Sequence, residues 1–340
     1  MLLSVRFLVV VAIALGAISS CQSKANEQEV ATSNRTDCRT IEHEAGKTEV
    51  CGQPQRIVVL SPGILESLLA LGVQPVAYGD LVAFHHGDYD NPREQIPYLG
   101  SLVTQPVANV GQAWEPSIEA IVKAQPDLII GVSSNRQIYG TLSQIAPSIL
   151  LDVTEPEINL RAISQAVNRS QQTEQLLKET EQRIATARKT FAPVVAQNPK
   201  LLLLYSGQLK QIILGTYDEP CYSLPQELGF QLVSLPELEN SKLNSRSTTI
   251  SIEKLPQLND ANSVIVLGYN WGKGKQLNNF DRNQLSKIKQ AWQENEIAQS
   301  LDASKAGRVY FIPLYLCGGL PGAIGTELYL DELEQQLLSP

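Results

Sequence analysis

Two short segments place a carboxylate at the start of an expected helix. Ser117 is followed by Glu119 just before one strand-like apolar run, and Ser251 is followed by Glu253 before another. A serine side chain can cap a helix, and a carboxylate in the first turn is stabilised by the positive end of the helix dipole. Ser-x-Glu is a common helix start. Its repetition in the same context nevertheless predicts two similar lobes, each exposing one carboxylate at an equivalent place.

Candidate protein ligands for a bare metal ion are few. The chain has three histidines, of which His85 and His86 are adjacent and His43 is distant in sequence. Adjacent side chains point apart in regular structure, whereas zinc or manganese sites gather several histidines and carboxylates around the ion. We therefore expect no metal site built from protein ligands alone. A haem iron with His85 or His86 as its axial ligand stays open.

The N-terminus has the features of a targeting segment. Arg6 supplies a positive charge, residues 7–17 form a short apolar run, and small residues lead to Cys21. A cysteine at this point resembles the lipobox of bacterial lipoproteins, in which that cysteine is lipidated; a plain secretory signal is the alternative. We expect residues 1–20 to be a lipoprotein signal peptide and residues 21–37 a flexible tether. No other stretch is long and apolar enough to cross a bilayer, so we expect a soluble body.

The four remaining cysteines predict disulfide bonds, because an exported protein meets an oxidising compartment. Cys38 and Cys51 flank a segment that reads as a hairpin turning near Gly46, and they would lie opposite each other at its open end. Cys221 and Cys317 are left for each other, although sequence alone does not determine connectivity.

Composition and motifs favour a binding protein over an enzyme. No Gly-x-Ser-x-Gly elbow, P-loop or Gly-x-Gly-x-x-Gly follows a strand-like run, and Ser61 lacks an evident His/Asp set. Without Arg6, 26 Lys and Arg stand against 35 Asp and Glu, a net charge of −9. Nucleic acid and broad anionic surfaces are therefore unfavourable partners. A cleft hydrolase or reductase is the rival class.

The elements that must position these residues indicate an α/β chain in two halves. Residues 157–191 contain no Gly or Pro, lie between Pro156 and Pro193, and carry apolar residues at helical spacing. Ser170 is expected to cap a helix that runs to about Ala192 and spans about 33 Å. With βα-like segments on both sides, this helix predicts a rigid connection between two lobes. A long helix lying on a single domain is the alternative.

Apolar runs bounded by turn residues predict the strands and helices around this connection. The expected strands are residues 57–60, 75–78, 126–131 and 148–151 in the first half and residues 200–205, 211–214, 231–234, 263–267 and 308–312 in the second. Expected helices include residues 64–71, 224–228 and 323–338. Residues 82–99 form a loop whose length is typical of a functional segment.

Five short stretches, taken in order and spacing, resemble the substrate-binding proteins of ABC importers for ferric siderophores, haem and cobalamin. They are residues 54–60 (PQRIVVL), 66–72 (ESLLALG), 116–119 (PSIE), 125–129 (QPDLI) and 251–255 (SIEKL). The likeness runs from about residue 56 to residue 338. It implies two Rossmann-like lobes joined by one long α-helix. The expected boundaries are 38–155 for the N-terminal lobe with its leading hairpin, 156–195 for the backbone helix and 196–340 for the C-terminal lobe.

The resemblance also implies partners. In that family one glutamate on each lobe docks against arginines of the membrane permease, at the positions of Glu119 and Glu253 here. Glu66, in the first expected helix, would be a solvated surface residue. The implied protein is a monomer anchored through Cys21 to a membrane, in the periplasm or at the cell surface, that serves an ABC importer permease dimer.

Ligands of such receptors lie between the lobes, where loops leave the C-terminal ends of strands. Aromatic faces can pack on a chelator and arginines can pair with its oxygens. The residues expected near the cleft, and taken as ligand contacts, are Trp114, Arg136, Tyr222, Arg246, Trp271 and Tyr315, with Asn135 and Tyr217 nearby. The resemblance implies such contacts at Trp114, Arg136, Arg246 and Tyr315. Ordinary packing in the core or in a loop is the alternative for each aromatic residue. An arginine that a related hydroxamate receptor type carries near Ala113 is absent. The loop with DYDNP (88–92) and IPYLG (96–100) looks most like the ferric-siderophore branch of the family, which implies a ferric siderophore as ligand; cobalamin or haem is the alternative. We expect no resident cofactor.

Overall fold

The computed structural model describes residues 37–82, 84–215, 220–235, 247–270 and 279–338. The signal peptide, the lipidation site Cys21 and nearly all of the tether lie outside these residues. The described strands are β1 (Cys38–His43), β2 (Gly46–Cys51), β3 (Ile57–Val59), β4 (Ala77–Asp80), β5 (Ala108–Gln112), β6 (Glu115–Pro116), β7 (Leu128–Val132), β8 (Ser148–Leu151), β9 (Lys200–Ser206), β10 (Ile212–Gly215), β11 (Gln231–Leu232), β12 (Ser247–Ile250), β13 (Ser263–Gly268) and β14 (Val309–Pro313). The described α-helices are α1 (Pro62–Ala70), α2 (Pro92–Gln95), α3 (Ile118–Lys123), α4 (Tyr139–Ile145), α5 (Pro156–Ala166), α6 (Ser170–Gln197), α7 (Pro220–Glu227), α8 (Phe280–Glu294), α9 (Glu296–Ser300), α10 (Asp302–Lys305) and α11 (Ala323–Leu337).

The first lobe is built on a sheet with strand order β6-β5-β4-β3-β7-β8. Its strands are parallel except β6, which returns antiparallel to β5. Successive residues of β3 face opposite apolar clusters: Ile57 and Val59 lie in one cluster and Val58 in the other. Burial on both faces explains the continuous Ile and Val run of this strand, as parallel sheets covered by helices require.

The second lobe repeats this plan with strand order β12-β10-β9-β13-β14, and β11 also pairs with β9. Strands β9, β13 and β14 are parallel, and β10 and β12 form an antiparallel edge. Leu201 and Leu203 face one cluster, whereas Leu202 and Leu204 face another. Each lobe therefore has a sheet buried on both sides, and the prediction of two Rossmann-like lobes is confirmed.

The long helix α6 connects the two lobes in the sequence, as predicted. Asn168 has a φ of 56°, and its left-handed backbone separates α5 from α6. Ser170 is the first residue of α6, and no side chain caps this end, so its predicted capping role is wrong. The predicted end near Ala192 is also wrong, because the helix continues through Pro193 to Gln197. Proline costs the helix one backbone hydrogen bond, which the remaining bonds of the last turns tolerate here.

The last helix, α11, ties the second lobe to the connecting helix and to α1 of the first lobe. On α6, the Arg183 guanidinium forms ion pairs with three carboxylates of α11. The N–O distances are 3.0 Å to Glu327, 3.1 Å to Asp331 and 2.9 Å to Glu334. Because one cation serves three anions, this contact fixes α11 along α6 more firmly than an isolated surface pair would.

Both predicted disulfide bonds are present. Cys38 and Cys51 are bonded partners directly opposite each other in the β1–β2 hairpin. Cys221, in α7, is bonded to Cys317, which follows β14, and this bond fixes α7 to the end of the second sheet. No helix of the described residues is long and apolar enough to cross a bilayer.

Strands β5 and β12 and helix α8 are among the elements that were not predicted from the sequence. Strand β5 carries Asn109, Gly111 and Gln112, so it has no apolar run, and it forms because it pairs with β4. Strand β12 pairs with β10 as an edge strand. Helix α8 has a mostly polar sequence and buries only a stripe that includes Leu285, Ile288 and Trp292.

Candidate functional site

Residues that follow strands of both sheets meet at one place between the lobes. Asp80 ends β4, and Tyr315 comes two residues after β14. The Tyr315 hydroxyl donates a hydrogen bond to Asp80 Oδ1 at 3.0 Å, and both residues are buried. Since parallel α/β sheets bind ligands at the carboxyl ends of their strands, this contact marks the floor of the candidate cleft.

The floor of the cleft is a buried group of oxygen atoms. Burial raises the pKa of Asp80 to about 6, although the nearby Tyr78 hydroxyl and hydrogen bonds from Tyr315 and backbone amides oppose this rise. Burial also raises the pKa of Tyr315 well above its ordinary value. The Tyr78 hydroxyl faces the same carboxylate, but it makes no well-formed hydrogen bond among the described residues. The two lobes are thus joined here by a polar contact that titrates below neutral pH.

An aromatic cluster lies beside this floor and also joins the lobes. Phe84 and Tyr98 come from the loop of residues 82–99 in the first lobe, and Phe280 and Tyr315 come from the second. Neighbouring ring centroids are 5.2 to 6.0 Å apart, mostly edge to face. The Tyr98 hydroxyl also donates to the Asp281 carboxylate. The long loop, predicted from its length to be functional, therefore lies across the gap between the lobes.

A cavity of about 510 Å³ opens next to this cluster. The first lobe lines it with Arg93, Glu94 and residues 96–98, and the second lobe lines it with residues 279–282. Arg93 and Arg282 both line it and are exposed, and neither is paired with an acid among the described residues. Two guanidinium groups from opposite lobes suit an anionic ligand rich in oxygen. Sequence reasoning missed both arginines. Arg282 belongs to helix α8, which was not predicted.

The predicted contacts Trp114 and Arg136 lie on neighbouring segments of the first lobe. Trp114 is 45% exposed in the turn between β5 and β6. Arg136 follows β7; it donates to the Glu44 backbone oxygen and lies 3.4 Å from the Glu44 carboxylate. Asn135 joins the two segments, because its amide accepts from Val132 N at 2.9 Å and donates to the Ala113 carbonyl at 2.7 Å. Asn135 thus holds the segment that carries Trp114 against the end of β7.

Tyr222 and Tyr315, two further predicted ligand contacts, lie in different environments. Tyr222 is buried in the core of the second lobe, and its hydroxyl donates to the Leu203 carbonyl at 2.9 Å. Tyr222 thus packs within this core, and its role as a ligand contact stays a prediction. Tyr315 lies at the floor of the cleft, as expected, and its contact with a ligand stays a prediction. Arg246, Trp271 and Tyr217 lie outside the described residues.

Of the two adjacent histidines, His85 makes local hydrogen bonds. His85 Nε2 lies 3.1 Å from the Asp88 carbonyl and 3.2 Å from the Gln95 amide, and its ring packs 5.4 Å from that of Tyr89. Among the described residues, the one group of His, Cys and acidic ligands within reach of a single ion is Cys38, Cys51 and Glu49. Its sulfurs are already joined in a disulfide bond, which leaves a single carboxylate as ligand.

Glu119 and Glu253 occupy equivalent places in the two lobes. Glu119 lies in α3, which leads to β7, and Glu253 lies in a 3₁₀ helix (Ile252–Leu258) that leads to β13. β7 and β13 each pair with the first strand of their own sheet, β3 and β9. Both glutamates are exposed. A hydrogen bond from Ser251 lowers the pKa of Glu253 below its ordinary value. Their docking role stays a prediction.

The expectation that Glu66 is a solvated surface residue is wrong. Glu66, on α1, is fully buried, and its carboxylate accepts hydrogen bonds from the backbone amides of Gly322 at 2.9 Å and Gly325 at 2.6 Å. Burial raises the pKa of Glu66 to about 7, and these hydrogen bonds limit the rise. A side chain at Gly322 would meet the carboxylate, since an added Cβ lies 3.0 Å from it. Glu66 therefore binds the first lobe to the start of α11.

Comparison with known proteins agrees with this architecture. Among relatives, the Fe(3+)-citrate-binding protein YfmC of Bacillus subtilis (strain 168) is 27% identical over 303 residues, which cover 86% of this chain and 84% of YfmC. The probable siderophore-binding lipoprotein YfiY of the same organism is 26% identical over 330 residues, which cover 95% of this chain and 94% of YfiY. Both relatives are thus matched over most of their length.

A solved structure shares the fold. Staphylococcus aureus SirA complexed with staphyloferrin B superposes with a TM-score of 0.69 at 24% identity, over 88% of this chain and 98% of that one. The profile of the periplasmic binding protein family matches residues 57–316, from the first strand of the first sheet to the segment after β14. The match includes both sheets, the connecting helix and the cleft between the lobes, and the chain therefore belongs to the periplasmic binding protein family.

Proposed function

We propose that this protein captures a ferric siderophore between its two lobes and delivers it to an ABC importer. The observation that carries the proposal is the cleft itself. Strand ends from both sheets meet at Asp80 and Tyr315, and a cavity beside them receives Arg93 from one lobe and Arg282 from the other. Guanidinium groups are suited to the carboxylate and hydroxyl oxygens that hold ferric iron in such chelates.

The relatives support an anionic iron chelate as ligand. YfmC is named for Fe(3+)-citrate, and YfiY is named as a probable siderophore-binding lipoprotein. Citrate-type chelates carry carboxylates, which pair with arginine in a bidentate manner. We therefore place ferric citrate or a related carboxylate chelate ahead of catecholate and hydroxamate chelates. Trp114 and Arg136 would contact the ligand from the outer edge of the first lobe.

The binding experiment uses quenching of tryptophan fluorescence. The purified protein is titrated with ferric citrate, a ferric catecholate, a ferric hydroxamate, haemin and cobalamin. We expect saturable quenching by at least one ferric chelate. Arg282→Ala should weaken that binding about tenfold, because it removes one charge-assisted contact. Arg188→Ala, an exposed change on the connecting helix, is the matched control and should leave affinity unchanged. Quenching by haemin or cobalamin alone would contradict the proposal.

Delivery would depend on the two exposed glutamates. YhfQ of Bacillus subtilis (strain 168), which is 25% identical over 94% of this chain, is named as a putative ABC transporter substrate-binding lipoprotein. If Glu119 and Glu253 dock against the permease, the double change Glu119→Ala with Glu253→Ala should abolish uptake of iron chelate in cells and leave chelate affinity intact. The exposed Glu181→Ala on α6 is the control. Normal uptake by the double variant would refute the docking role.

Two further parts of the proposal concern chemistry and anchoring. The protein would bind its ligand without transforming it, so chelate recovered after incubation should be chemically unchanged. Lipidation at Cys21 would hold the protein at a membrane surface. Cys21→Ala should then move it from the membrane fraction to the soluble fraction, and a variant that stays with the membrane would refute the anchor.

A further inference from the structure

A second pocket, here called the hinge pocket, lies between the connecting helix and helices of both lobes. Its volume is about 300 Å³, at the lower end of the range for small-molecule sites. Helices α1 and α5 line it from the first lobe, α7 and α11 from the second, and α6 from between them. Helix α1 begins at the carboxyl edge of β3, and the pocket touches its later residues Ser67 and Ala70. The hinge pocket therefore lies behind the cleft.

The wall that α6 contributes is apolar. Leu176, Leu177 and Ile184 lie on one side of this helix and line the pocket while remaining only partly buried. The two leucines pack against the core of the first lobe, and Ile184 packs against a core of the second. Leu160 and Leu224 add apolar surface from the facing helices. The hinge pocket thus sits where the two cores meet along α6, and a ligand in it would contact both lobes at once.

One carboxylate that lines this apolar space has no partner within the described part of the chain. Glu227, on α7, lines the pocket, and it has no ion pair or hydrogen bond among the residues that the structure describes. Partial burial raises the pKa of its carboxyl, and no neighbouring cation opposes the rise. The other acidic lining residue, Glu157, is already paired with Arg161 at 2.9 Å. Glu227 is therefore the one lining carboxylate left to meet a positive charge.

From this combination we propose that the hinge pocket binds a small organic cation, a short hydrocarbon chain that ends in a primary ammonium group. The hydrocarbon would cover the apolar wall of α6, and the ammonium would pair with Glu227. An ammonium group supplies the donors that this carboxylate lacks, and it remains protonated at neutral pH. The net charge of −9 without the signal peptide also attracts cations to the surface. This site is independent of the ligand in the cleft.

The first test is calorimetric titration of the mature protein with n-hexylamine at pH 7.5. Its neutral counterpart, 1-hexanol, has the same hydrocarbon chain. We expect saturable binding of one hexylamine per chain, and Glu227→Gln should weaken it about tenfold through loss of the charged contact. Glu157→Gln, on α5 of the first lobe, is the matched control and should bind like the unchanged protein. Binding of 1-hexanol should be the same in all three proteins.

Two results of this titration would overturn the proposal. One is the absence of a saturable heat of binding up to roughly 10 mM hexylamine. This concentration is well above the dissociation constant of even a ligand that binds with millimolar affinity. The other is equal hexylamine affinity in Glu227→Gln and the unchanged protein, because the cation would then be bound elsewhere on the acidic surface.

A second variant tests the apolar part of the site. Ser223, on α7, lines the hinge pocket, and Ser223→Leu places a larger apolar side chain in it. With folding verified by urea unfolding, this variant should lose binding of both hexylamine and 1-hexanol. Unchanged hexylamine binding in a folded Ser223→Leu protein would show that the hydrocarbon does not enter the pocket, and would refute the proposal.

Discussion

Replacing Glu66 with glutamine tests whether a buried carboxylate controls the stability of the contact between α1 and α11. Glutamine has nearly the same shape, keeps one carbonyl oxygen and cannot ionise. One of the two backbone amides, Gly322 or Gly325, then loses its acceptor, which costs about 1 to 3 kcal/mol at every pH. The charge of the Glu66 carboxylate makes a second contribution to the free energy of unfolding, and this contribution depends on pH.

The magnitude follows from the change in the pKa of Glu66 on folding. Its carboxyl has an ordinary value of 4.5, and burial raises this to about 7 in the folded protein. The folded state therefore binds the proton more tightly than the unfolded state does. The resulting stabilisation is complete below pH 4.5 and is lost as the pH rises through 7, by roughly 3 kcal/mol in total. The glutamine variant has no such loss.

The assay is urea unfolding of both proteins between pH 5 and pH 8 with disulfides intact. The quantity of interest is the free energy of unfolding of Glu66→Gln minus that of the unchanged protein. Since other titrating groups are common to both, they cancel in this difference when they are distant from Glu66. We expect the difference to shift by roughly 2 to 3 kcal/mol in favour of Glu66→Gln as the pH rises over this range.

A difference that stays constant from pH 5 to pH 8 would refute the reasoning, because Glu66 would then have the same proton affinity in the folded and unfolded states. The control is Glu181→Gln, an exposed carboxylate on α6. Its difference from the unchanged protein should stay within about 0.5 kcal/mol at every pH, as is usual for surface changes.

Three other predictions concern contacts between the lobes and helices. Tyr315→Phe removes the hydrogen bond to buried Asp80 and should lower the free energy of unfolding by about 1 to 3 kcal/mol. Because that bond holds the pKa of Asp80 down, the loss measured by urea unfolding should be larger at pH 8 than at pH 5. Thiol counting on the denatured, unreduced mature body should find no free thiol from Cys221 or Cys317, and a count of two would contradict their bond. Arg183→Met should destabilise the protein by about 1 kcal/mol at low salt and by less in 1 M NaCl, and a salt-independent loss would point to packing rather than ion pairing.

The fold was largely predictable because its signals are local. Continuous Ile, Val and Leu runs mark strands buried on both faces, and a stretch without Gly or Pro marks the connecting helix. The hairpin that joins Cys38 to Cys51 was predictable for the same reason, since its two strands are close in sequence. Strand β12 and helix α8 were missed, because edge strands and mostly exposed helices carry few apolar residues.

The site was less predictable, since it depends on which distant segments meet. An acid within an apolar helix such as Glu66 is ambiguous in sequence, and its role appears only when residues 256 and 259 positions away supply two amides. Tyr222 and Tyr315 are both tyrosines in the second half, and only packing makes one a core residue and the other the floor of the cleft.

The sequence by itself determined the alternation of strands and helices, the connecting helix and the cysteine pairs, because neighbouring residues suffice to set periodicity and turns. Only the tertiary structure decided that Arg93 and Arg282 share a cavity, that Asp80 meets Tyr315, and that Glu227 lines an apolar pocket without a partner among the described residues. The physical reason is that burial, and with it the pKa and pairing of a charged group, is set by segments far away in the chain.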